Sequence, residues 1–357
     1  MEERLYLFLI YGIYFISSIV FSFLINNLFL KFSSNLGTRN NSENLVRWSA
    51  QTKPSLGGIS FFILFLLSII FYLILFKQHE TFLNKQLFGI LTASTLAFLM
   101  GLSDDAYNTK PLLKLIVQII CALILIFTDT YIAVFSDKII NEIFTIFWIV
   151  SIMNSINMLD NMDAISTITS VTVILNALLV IYLNNQFIDG MNIIILVGVM
   201  SSLIGFLFFN WNPAKMFMGD TGSQFLGLFL GAMGIIYFWN TPDTHGRIIH
   251  TKQFLITVLA FIIPIIDTTT VVINRIMSGK SPFVGGKDHT THCLYFMGLS
   301  EKNIARLYFA IGLVSMLFNF FIVDCIDNWG YLYIILFSIY CLLLFGALYA
   351  PTRKYGR

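Results

Sequence analysis

The sequence predicts an all-α integral membrane protein with about eleven transmembrane helices and an active site on its cytoplasmic face. Of its 357 residues, 57% are hydrophobic and only 11% are charged, whereas soluble domains carry about 25% charged residues. Apolar runs of about 20 residues, long enough for a helix to cross the hydrocarbon core, recur from end to end. The longest polar insertion is roughly 25 residues, too short for a soluble domain. We therefore expect one polytopic membrane domain over residues 1–357.

The apolar runs define the expected helices in order. The first run is too long for the hydrophobic part of a signal peptide, and no small-residue cleavage site follows it, so we expect it to remain as a span. The fifth has a short apolar core, because four polar or charged residues lie between positions 137 and 142. The expected helices cover residues 5–30, 56–76, 86–102, 112–128, 139–156, 164–183, 192–209, 223–239, 254–275, 303–323 and 329–349.

Basic residues predict the orientation. Most of the 21 lysines and arginines fall in the C-terminal tail and in the loops of one side, which the positive-inside rule assigns to the cytoplasm. An odd number of spans then places the N-terminus outside and the C-terminus inside. The four cysteines are scattered without metal or disulfide spacing, so we expect them to be reduced. The cytoplasmic loops are expected near residues 31–55, 102–112, 154–163, 210–222 and 276–302.

The most informative polar stretch is Asn210–Ser223, which lies between the apolar runs Asn192–Phe209 and Gln224–Trp239. A loop that only joins two spans does not need the Gly-Asp-Thr-Gly-Ser sequence that this stretch contains. Glycines on both sides of Asp220 allow the backbone to take positive φ and bring the carboxylate close to a ligand or metal ion. We expect the other polar loops of this face to converge on Asp220.

Two further groups of polar side chains lie at helix ends of the same face. Asp104 and Asp105 follow an apolar run directly. Such a pair suits Mg²⁺ binding or deprotonation of an acidic nucleophile, although a solvated helix end is the simpler alternative. Asn157, Asp160 and Asp163 recur every three residues, on one side of a helix that ends or begins here. Ionisable groups at membrane depth usually face a cavity or pathway; a polar cap of the sixth helix is the alternative.

The remaining motifs add cations and histidines. Lys53-Pro-Ser-Leu-Gly-Gly58 offers a cation and exposed amides before the second span. Asp267 lies inside the ninth expected helix, where an acidic residue either serves function or pairs with Arg275. A zinc site of two histidines and one aspartate is disfavoured, because hard oxygen donors dominate the other loops. The longest polar insertion indicates an anion or phosphate clamp formed by Lys280, Lys287, Asp288, His289 and His292.

These motifs together indicate a site for a divalent metal ion and a polyanion at one membrane face. A reaction between water-soluble molecules needs no membrane, so we expect at least one substrate to be a lipid. A secondary transporter of an anionic solute is the alternative, but it predicts ionisable residues near the bilayer midplane and internal repeats, which we do not find in the sequence. A noncatalytic scaffold leaves the aspartate-rich loops unexplained. The net charge of +2 gives no indication of a nucleic-acid partner.

In matching order from Lys53 to about Ser300, the motifs resemble those of the polyprenyl-phosphate N-acetylhexosamine-1-phosphate transferases. This family includes undecaprenyl-phosphate GlcNAc-1-phosphate transferases and phospho-N-acetylmuramoyl-pentapeptide translocases. The resemblance rests on Lys53-Pro-Ser-Leu-Gly-Gly58, Gly101-Leu-Ser-Asp-Asp105, Lys110-Pro-Leu-Leu-Lys114, Asn157-Met-Leu-Asp-Asn-Met-Asp163, Asn210-Trp-Asn-Pro-Ala214, Phe217-Met-Gly-Asp-Thr-Gly-Ser223 and Ser281-Pro-Phe-Val-Gly-Gly-Lys-Asp-His-Thr-Thr-His292.

The resemblance implies a transfer of N-acetylhexosamine-1-phosphate, GlcNAc-1-phosphate above all, from a UDP-sugar to undecaprenyl or another polyprenyl phosphate, with release of UMP. This would be the first membrane step of cell-envelope polysaccharide synthesis, such as lipopolysaccharide, in the bacterial inner membrane. The implied cofactor is Mg²⁺, with Mn²⁺ as an alternative, and a homodimer is compatible with the prediction.

The resemblance also implies residue roles. The implied metal ligands are Asp220, Asp104 and Asp105. The implied catalytic residues are Asp104, Asp105, Lys114, Asp163 and His289. The implied substrate-binding residues are Lys53, Asn157, Asp160, Asn210, Lys280, Asp288 and His292.

The chain departs from the family pattern at four positions. Asn161 and Ala164 stand where the family often has glycine, Cys293 stands where it usually has arginine, and Thr291 stands where it often has histidine. Loss of the arginine removes a bidentate phosphate contact. The identity of the sugar therefore stays open between GlcNAc, GalNAc and a deoxy-aminosugar.

Overall fold

The computed structural model describes residues 2–33, 53–75, 84–184, 190–281, 286–326 and 328–355, and the regular structure within these ranges is helical. α8 and α12 each continue into a π-helical turn, at Ile235–Trp239 and Phe321–Cys325. The helices are α1 (Glu2–Ser33), α2 (Gly57–Leu75), α3 (Lys85–Tyr107), α4 (Pro111–Phe127), α5 (Lys138–Leu159), α6 (Ile165–Leu183), α7 (Gly190–Asn210), α8 (Gly219–Gly234), α9 (His250–Ala260), α10 (Ile262–Met277), α11 (Thr290–Phe296), α12 (Glu301–Phe320) and α13 (Tyr331–Tyr355).

The all-helical membrane architecture predicted from the sequence is confirmed. Within the described ranges, nine helices are long and apolar enough to cross a bilayer, or ten if α9 and α10 form one broken span. α4 is apolar but only 17 residues long. Each of the eleven expected helices overlaps a helix of the structure, although the number that cross the membrane stays a prediction. Of the expected cytoplasmic loops, residues 34–52 and 282–285 lie outside the described residues.

The ninth expected helix is not continuous, which corrects the prediction of a single span over 254–275. It breaks at Phe261 into α9 and α10, whose axes differ by 79°. Pro264 lies in the first turn of α10, and a proline has no N–H to donate to the carbonyl four residues earlier and clashes with it sterically. The break turns α10, which carries Asp267 and Arg275, away from the axis of α9. The expected loop after α10 also contains a short unpredicted helix, α11.

α8 lies at the centre of the bundle and packs against α2, α3 and α5. Glycines allow this close packing. A Cβ at Gly58 of α2 would overlap the backbone of Gly222 in α8, and one at Gly101 of α3 would overlap the backbone at Asp220. Aromatic rings, including the edge-on contact of Phe65 with Phe225, fill the space deeper in the bundle. The first turn of α8 is therefore held at a defined position among its neighbours.

The outer helices differ from α8 in burial. In the span formed by α8 and its π-helical turn, 94% of the most apolar segment is buried by protein. The corresponding fraction is 22% in α1 and only 6% in α13. Leu, Ile and Phe side chains cover the exposed faces of these helices, as expected for surfaces in contact with lipid tails.

Candidate active site

Three helix ends bring Asp104, Lys114 and Asp220 together. Lys114, in the first turn of α4, forms an ion pair with Asp104 Oδ2 in the last turn of α3. Its Nζ also lies 3.4 Å from Oδ2 of Asp220, in the first turn of α8. Asp104 is buried, and its Oδ1 accepts hydrogen bonds from Thr109 N (2.8 Å) and Thr109 Oγ1 (2.7 Å). Two carboxylates from different helices thus share one ammonium group.

An amide fixes the other oxygen of Asp220. Asn157, near the end of α5, donates from Nδ2 to Asp220 Oδ1 at 2.5 Å and to Ser223 Oγ at 2.8 Å. The carboxylate of Asp220 is therefore held between an ammonium group on one side and an amide on the other, while its side chain stays 31% exposed. An exposed and oriented carboxylate of this kind can bind a ligand from the aqueous side.

Asp105 has different contacts from its neighbour Asp104. Its Oδ1 accepts a hydrogen bond from Asp220 N (3.0 Å), and its Oδ2 accepts from Thr221 N (2.9 Å) and Thr221 Oγ1 (2.6 Å). These donors belong to the first turn of α8, where helix N–H groups have no intrahelical partner. The positive φ expected beside Asp220 is found at Gly219 (φ +72°), where a Cβ would press on the Asp105 carboxylate.

The Lys53–Gly58 motif runs beside the loop before α8. Gly57 N and Gly58 N donate to the carbonyls of Phe217 (3.1 Å) and Met218 (3.0 Å), and Phe217 N donates to Pro54 O (3.0 Å). The Lys53 ammonium lies 5.3 Å from the centre of the Phe217 ring, a favourable cation–π distance. Lys53 therefore lies next to Phe217, which precedes Gly219 by two positions in the chain.

Asp163 and Asn210 tie the loops of this end together. Asp163 Oδ2 accepts from Asn212 Nδ2 (3.0 Å) and Ala214 N (2.8 Å). Asn210 is buried; its Oδ1 accepts from Ala164 N (3.1 Å), and its Nδ2 donates to Met216 O (3.2 Å). Both side chains thus hold the segment between α7 and α8 against the start of α6.

Asp160 ends α5 and accepts a hydrogen bond from Ser166 Oγ at 2.7 Å. Burial and, to a smaller extent, the charges of Asp105 and Asp163 raise the pKa of Asp160 to about 7. This carboxyl group therefore changes protonation near neutral pH.

The segment from Asp288 to His292 is anchored on α10 by one ion pair and one contact between a carboxylate and an imidazole. Arg275 donates from Nε and Nη2 to the two oxygens of Asp288, each at 2.7 Å. Asp267 Oδ2 lies 2.8 Å from His289 Nδ1. The alternative pairing of Asp267 with Arg275 is therefore wrong: the bend before α10 and the return of the chain place His289 next to Asp267. Burial alone would raise the pKa of Asp288, but the hydrogen bonds and charge of Arg275 lower it below its usual value.

The same segment contacts the α5–α6 connection. Thr291 Oγ1 donates to Asn161 Oδ1 at 2.8 Å, so two positions that depart from the family pattern bind each other. His292 is buried, and burial followed by the nearby His289 lowers the pKa of His292 to about 4. Cys293 is also buried, and burial raises the pKa of its thiol to about 12. Lys280, by contrast, is exposed at the end of α10.

The structure thus gathers most predicted residues at one end of the bundle but gives them unequal exposure. Asp220, Lys114 and Asn157 are partly exposed, whereas Asn210, Asp104 and His292 are buried. The sequence analysis missed Thr109 and the buried amide Gln224, whose Oε1 accepts a hydrogen bond from Gln118 Nε2 at 3.0 Å. A polar residue at the start of an otherwise apolar run is the signal that could have found Gln224.

The donor set fits a hard divalent cation better than zinc. Among the described residues, no group of three or more His, Cys, Asp or Glu side chains is arranged to hold a metal ion. Mg²⁺, however, is usually bound by one or two carboxylates and completes its shell with water and substrate phosphates. Asp104 and Asp220, which both contact the Lys114 ammonium group, offer such a pair.

Comparison with known proteins supports the resemblance inferred from the motifs. Residues 87–238 match the sequence model of glycosyl transferase family 4. A probable undecaprenyl-phosphate N-acetylglucosaminyl 1-phosphate transferase of Bacillus subtilis is 25% identical over 305 residues, which are 84% of this chain and 80% of that protein. The predicted resemblance to the polyprenyl-phosphate transferases is therefore confirmed.

Two other relatives align over a shorter part. A decaprenyl-phosphate N-acetylglucosaminephosphotransferase of Mycobacterium leprae is 32% identical over 127 residues, 34% of this chain and 32% of that protein. A phospho-N-acetylmuramoyl-pentapeptide-transferase of Levilactobacillus brevis is 36% identical over 120 residues, 34% of this chain and 33% of that protein. None of these three relatives is described as a transporter.

Proposed function

We propose that this chain, a relative of the glycosyl transferase family 4 enzymes, transfers N-acetylhexosamine-1-phosphate from a UDP-sugar to polyprenyl phosphate and releases UMP. The sugar we expect first is GlcNAc, and the step would begin cell-envelope polysaccharide synthesis. The observation that carries the proposal is the meeting of Asp104, Lys114 and Asp220 at one end of a membrane bundle. Its motifs resemble those of such enzymes, and the Bacillus subtilis relative that aligns with 84% of the chain has a name of this kind.

In the proposed reaction, a phosphate oxygen of the lipid attacks the β-phosphorus of the UDP-sugar. The bond between that phosphorus and the bridging oxygen breaks, and UMP leaves with the bridging oxygen. The products are polyprenyl-diphospho-sugar and UMP. Because phosphoryl transfer asks little covalent chemistry of the protein, its residues act mainly by placing the two phosphates and balancing their charge.

Lys114 supplies the positive charge at the centre of the site. Its ammonium group reduces the repulsion between the two carboxylates, and with two of its three donors directed at Asp104 and Asp220 one remains for a phosphate. Asp104 and Asp220 would hold Mg²⁺ or Mn²⁺, which when bound would neutralise charge on the nucleotide diphosphate. Asp104 or Asp105 would take any proton carried by the lipid phosphate, or hold that phosphate in line.

The remaining predicted residues would act around this centre. Asn157 orients Asp220, and Asp163 and Asn210 hold the loop before α8, so we assign these three to positioning of the nucleotide-binding loop. Lys53, Lys280 and the His289–His292 segment supply cations and ring nitrogens for substrate phosphates and sugar. The polyprenyl chain would lie along the apolar helices that open to lipid.

The orientation proposed from the basic loops places this end of the bundle at the cytoplasmic face of the bacterial inner membrane, where UDP-sugars are available. The N-terminus would then lie outside and the C-terminus inside, with the basic residues Arg353 and Lys354 at the cytoplasmic surface. A homodimer is compatible with this arrangement.

The test is incorporation of label into lipid. Membranes containing the protein are incubated with tritium-labelled UDP-GlcNAc, undecaprenyl phosphate and Mg²⁺, and the labelled lipid is extracted. We expect lipid product in wild type and in the control Asp243→Asn, whose carboxylate pairs with Arg247 in the loop before α9. We expect none with EDTA or in Asp220→Ala. Label trapped inside vesicles without lipid product would instead support the transporter. A panel of UDP-sugars then identifies the sugar.

A further inference from the structure

Asp267 is a buried acidic residue on α10 that the proposed reaction does not use. It is 1% exposed and lies two turns before Arg275. Its Oδ1 accepts hydrogen bonds from Thr290 N (2.9 Å) and Thr290 Oγ1 (2.5 Å), and its Oδ2 pairs with His289 Nδ1 (2.8 Å). A buried carboxylate is costly unless it is paired, and here both oxygens of Asp267 have partners.

The contacts of Asp267 define the orientation of the His289 ring. An imidazole that donates Nδ1–H to a carboxylate is fixed in one tautomer and leaves Nε2 for a ligand. Thr290, which follows His289 in the chain, is held by a hydrogen bond between its Oγ1 and Tyr308 OH (2.6 Å). The ring of His292 packs edge-on against that of His289, with 5.4 Å between centroids. Rotation of His289 is therefore restricted from both sides.

Asp267 is one of several residues that hold this segment on α10. Arg275 already anchors it through both oxygens of Asp288, and Thr291 ties it to Asn161 in the connection that follows α5. The Thr291 contact brings the segment next to residues 157–163, of which Asn157 holds Asp220. Besides its two hydrogen bonds with Thr290, Asp267 fixes the direction of one imidazole at the edge of the candidate active site.

We infer that Asp267 is a positioning residue for the phosphoglycosyl transfer: it holds the His289 ring so that Nε2 contacts the phosphate-bearing part of the UDP-sugar. This inference rests on the proposed function and assigns Asp267 of α10 to that same site. It differs from a purely structural role, because its effect on catalysis passes through His289 alone.

A double-mutant cycle tests this dependence. Initial rates with UDP-GlcNAc and undecaprenyl phosphate are measured for wild type, Asp267→Asn, His289→Asn and the double variant. We expect each single substitution to lower kcat/KM by about 10- to 100-fold, as is typical when the carboxylate that orients a functional histidine is lost. The kcat/KM of the double variant should be within about threefold of that of the less active single variant, because the effects of two substitutions in one functional unit do not add. Multiplied losses would overturn the inference.

Tyr308→Phe is the matched control. It removes a hydroxyl from the same buried cluster and leaves the Asp267–His289 contact in place, so kcat/KM should change by less than about threefold. A loss as large as that of Asp267→Asn would indicate that the whole cluster is only structural, and would contradict the proposed role.

A second readout does not require activity. In the full-length protein labelled with ¹⁵N-histidine, one of five histidine signals disappears in His289→Asn and is thereby assigned. We expect its Nδ1 to carry a proton that is protected from exchange in wild type and unprotected in Asp267→Asn. An exposed, rapidly exchanging Nδ1 in wild type would refute the inference even if the enzyme is active. Absence of transfer with every UDP-sugar, together with a protected Nδ1, would refute the proposed function instead.

Discussion

Replacement of Asp105 by asparagine tests how the first turn of α8 is held. The carboxylate accepts three hydrogen bonds from Asp220 and Thr221, and an amide has only one accepting oxygen. If that oxygen keeps the two Thr221 donors, the amide NH₂ meets Asp220 N–H and leaves it unsatisfied. Loss of one hydrogen bond to a charged acceptor and of the negative charge at a helix N-terminus should cost about 2–4 kcal/mol of unfolding free energy.

The assay is reversible unfolding in detergent, followed by helical circular dichroism, for wild type, Asp105→Asn and Thr221→Val. Thr221→Val removes only the hydroxyl bond to Asp105 and should cost about 1 kcal/mol. We expect the order wild type, Thr221→Val, Asp105→Asn, with decreasing stability. Unchanged stability in Asp105→Asn, together with a large increase in the Mg²⁺ concentration needed for activity, would refute this reasoning and make Asp105 a metal ligand, as the resemblance implies.

Three further predictions concern the same end of the bundle. Ala164 has φ +67°, which costs a non-glycine residue about 1–2 kcal/mol, so Ala164→Gly should raise the unfolding free energy by about 0.5–1 kcal/mol; a loss would mean that packing of its Cβ dominates. Gly58→Ala places a Cβ against the backbone of Gly222 and should cost about 1–3 kcal/mol, while Gly12→Ala, with open space around it, should cost nothing measurable. The pKa of Asp160 is about 7 when folded and about 4 when unfolded, so its contribution to stability is present below pH 4 and is lost as pH rises to 7. The slope reaches at most about 1.4 kcal/mol per pH unit; unfolding measured between pH 4 and 8 should show a shallower decline in Asp160→Asn, and an equal decline would contradict the assignment.

The helices could be predicted from the sequence because each depends on a local property, the length of an apolar run. The break at Phe261 could not, although Pro264 is visible in the sequence. A proline in a membrane helix often produces only a mild kink, and the angle depends on which neighbouring helices pack around the carbonyl it leaves without a partner. The 79° bend is therefore a property of the packed bundle.

The membership of the site could be predicted in large part, but the pairings within it could not. Asp104 and Asp105 are adjacent in sequence, yet neighbouring residues of a helix point about 100° apart. One carboxylate consequently meets Lys114, and the other meets the start of α8. Likewise, Asp267 and Arg275 share a helix, but each pairs with a residue that the chain brings back after α10.

The most direct test of the central claim is the Mg²⁺ dependence of GlcNAc-1-phosphate transfer in Asp104→Asn and Asp220→Asn. If carboxylates from α3 and α8 hold one cation, the half-saturating Mg²⁺ concentration should rise at least about tenfold in both variants and stay at the wild-type value in Asp243→Asn. A half-saturating concentration that is unchanged in either active-site variant, while kcat falls, would contradict a shared metal site.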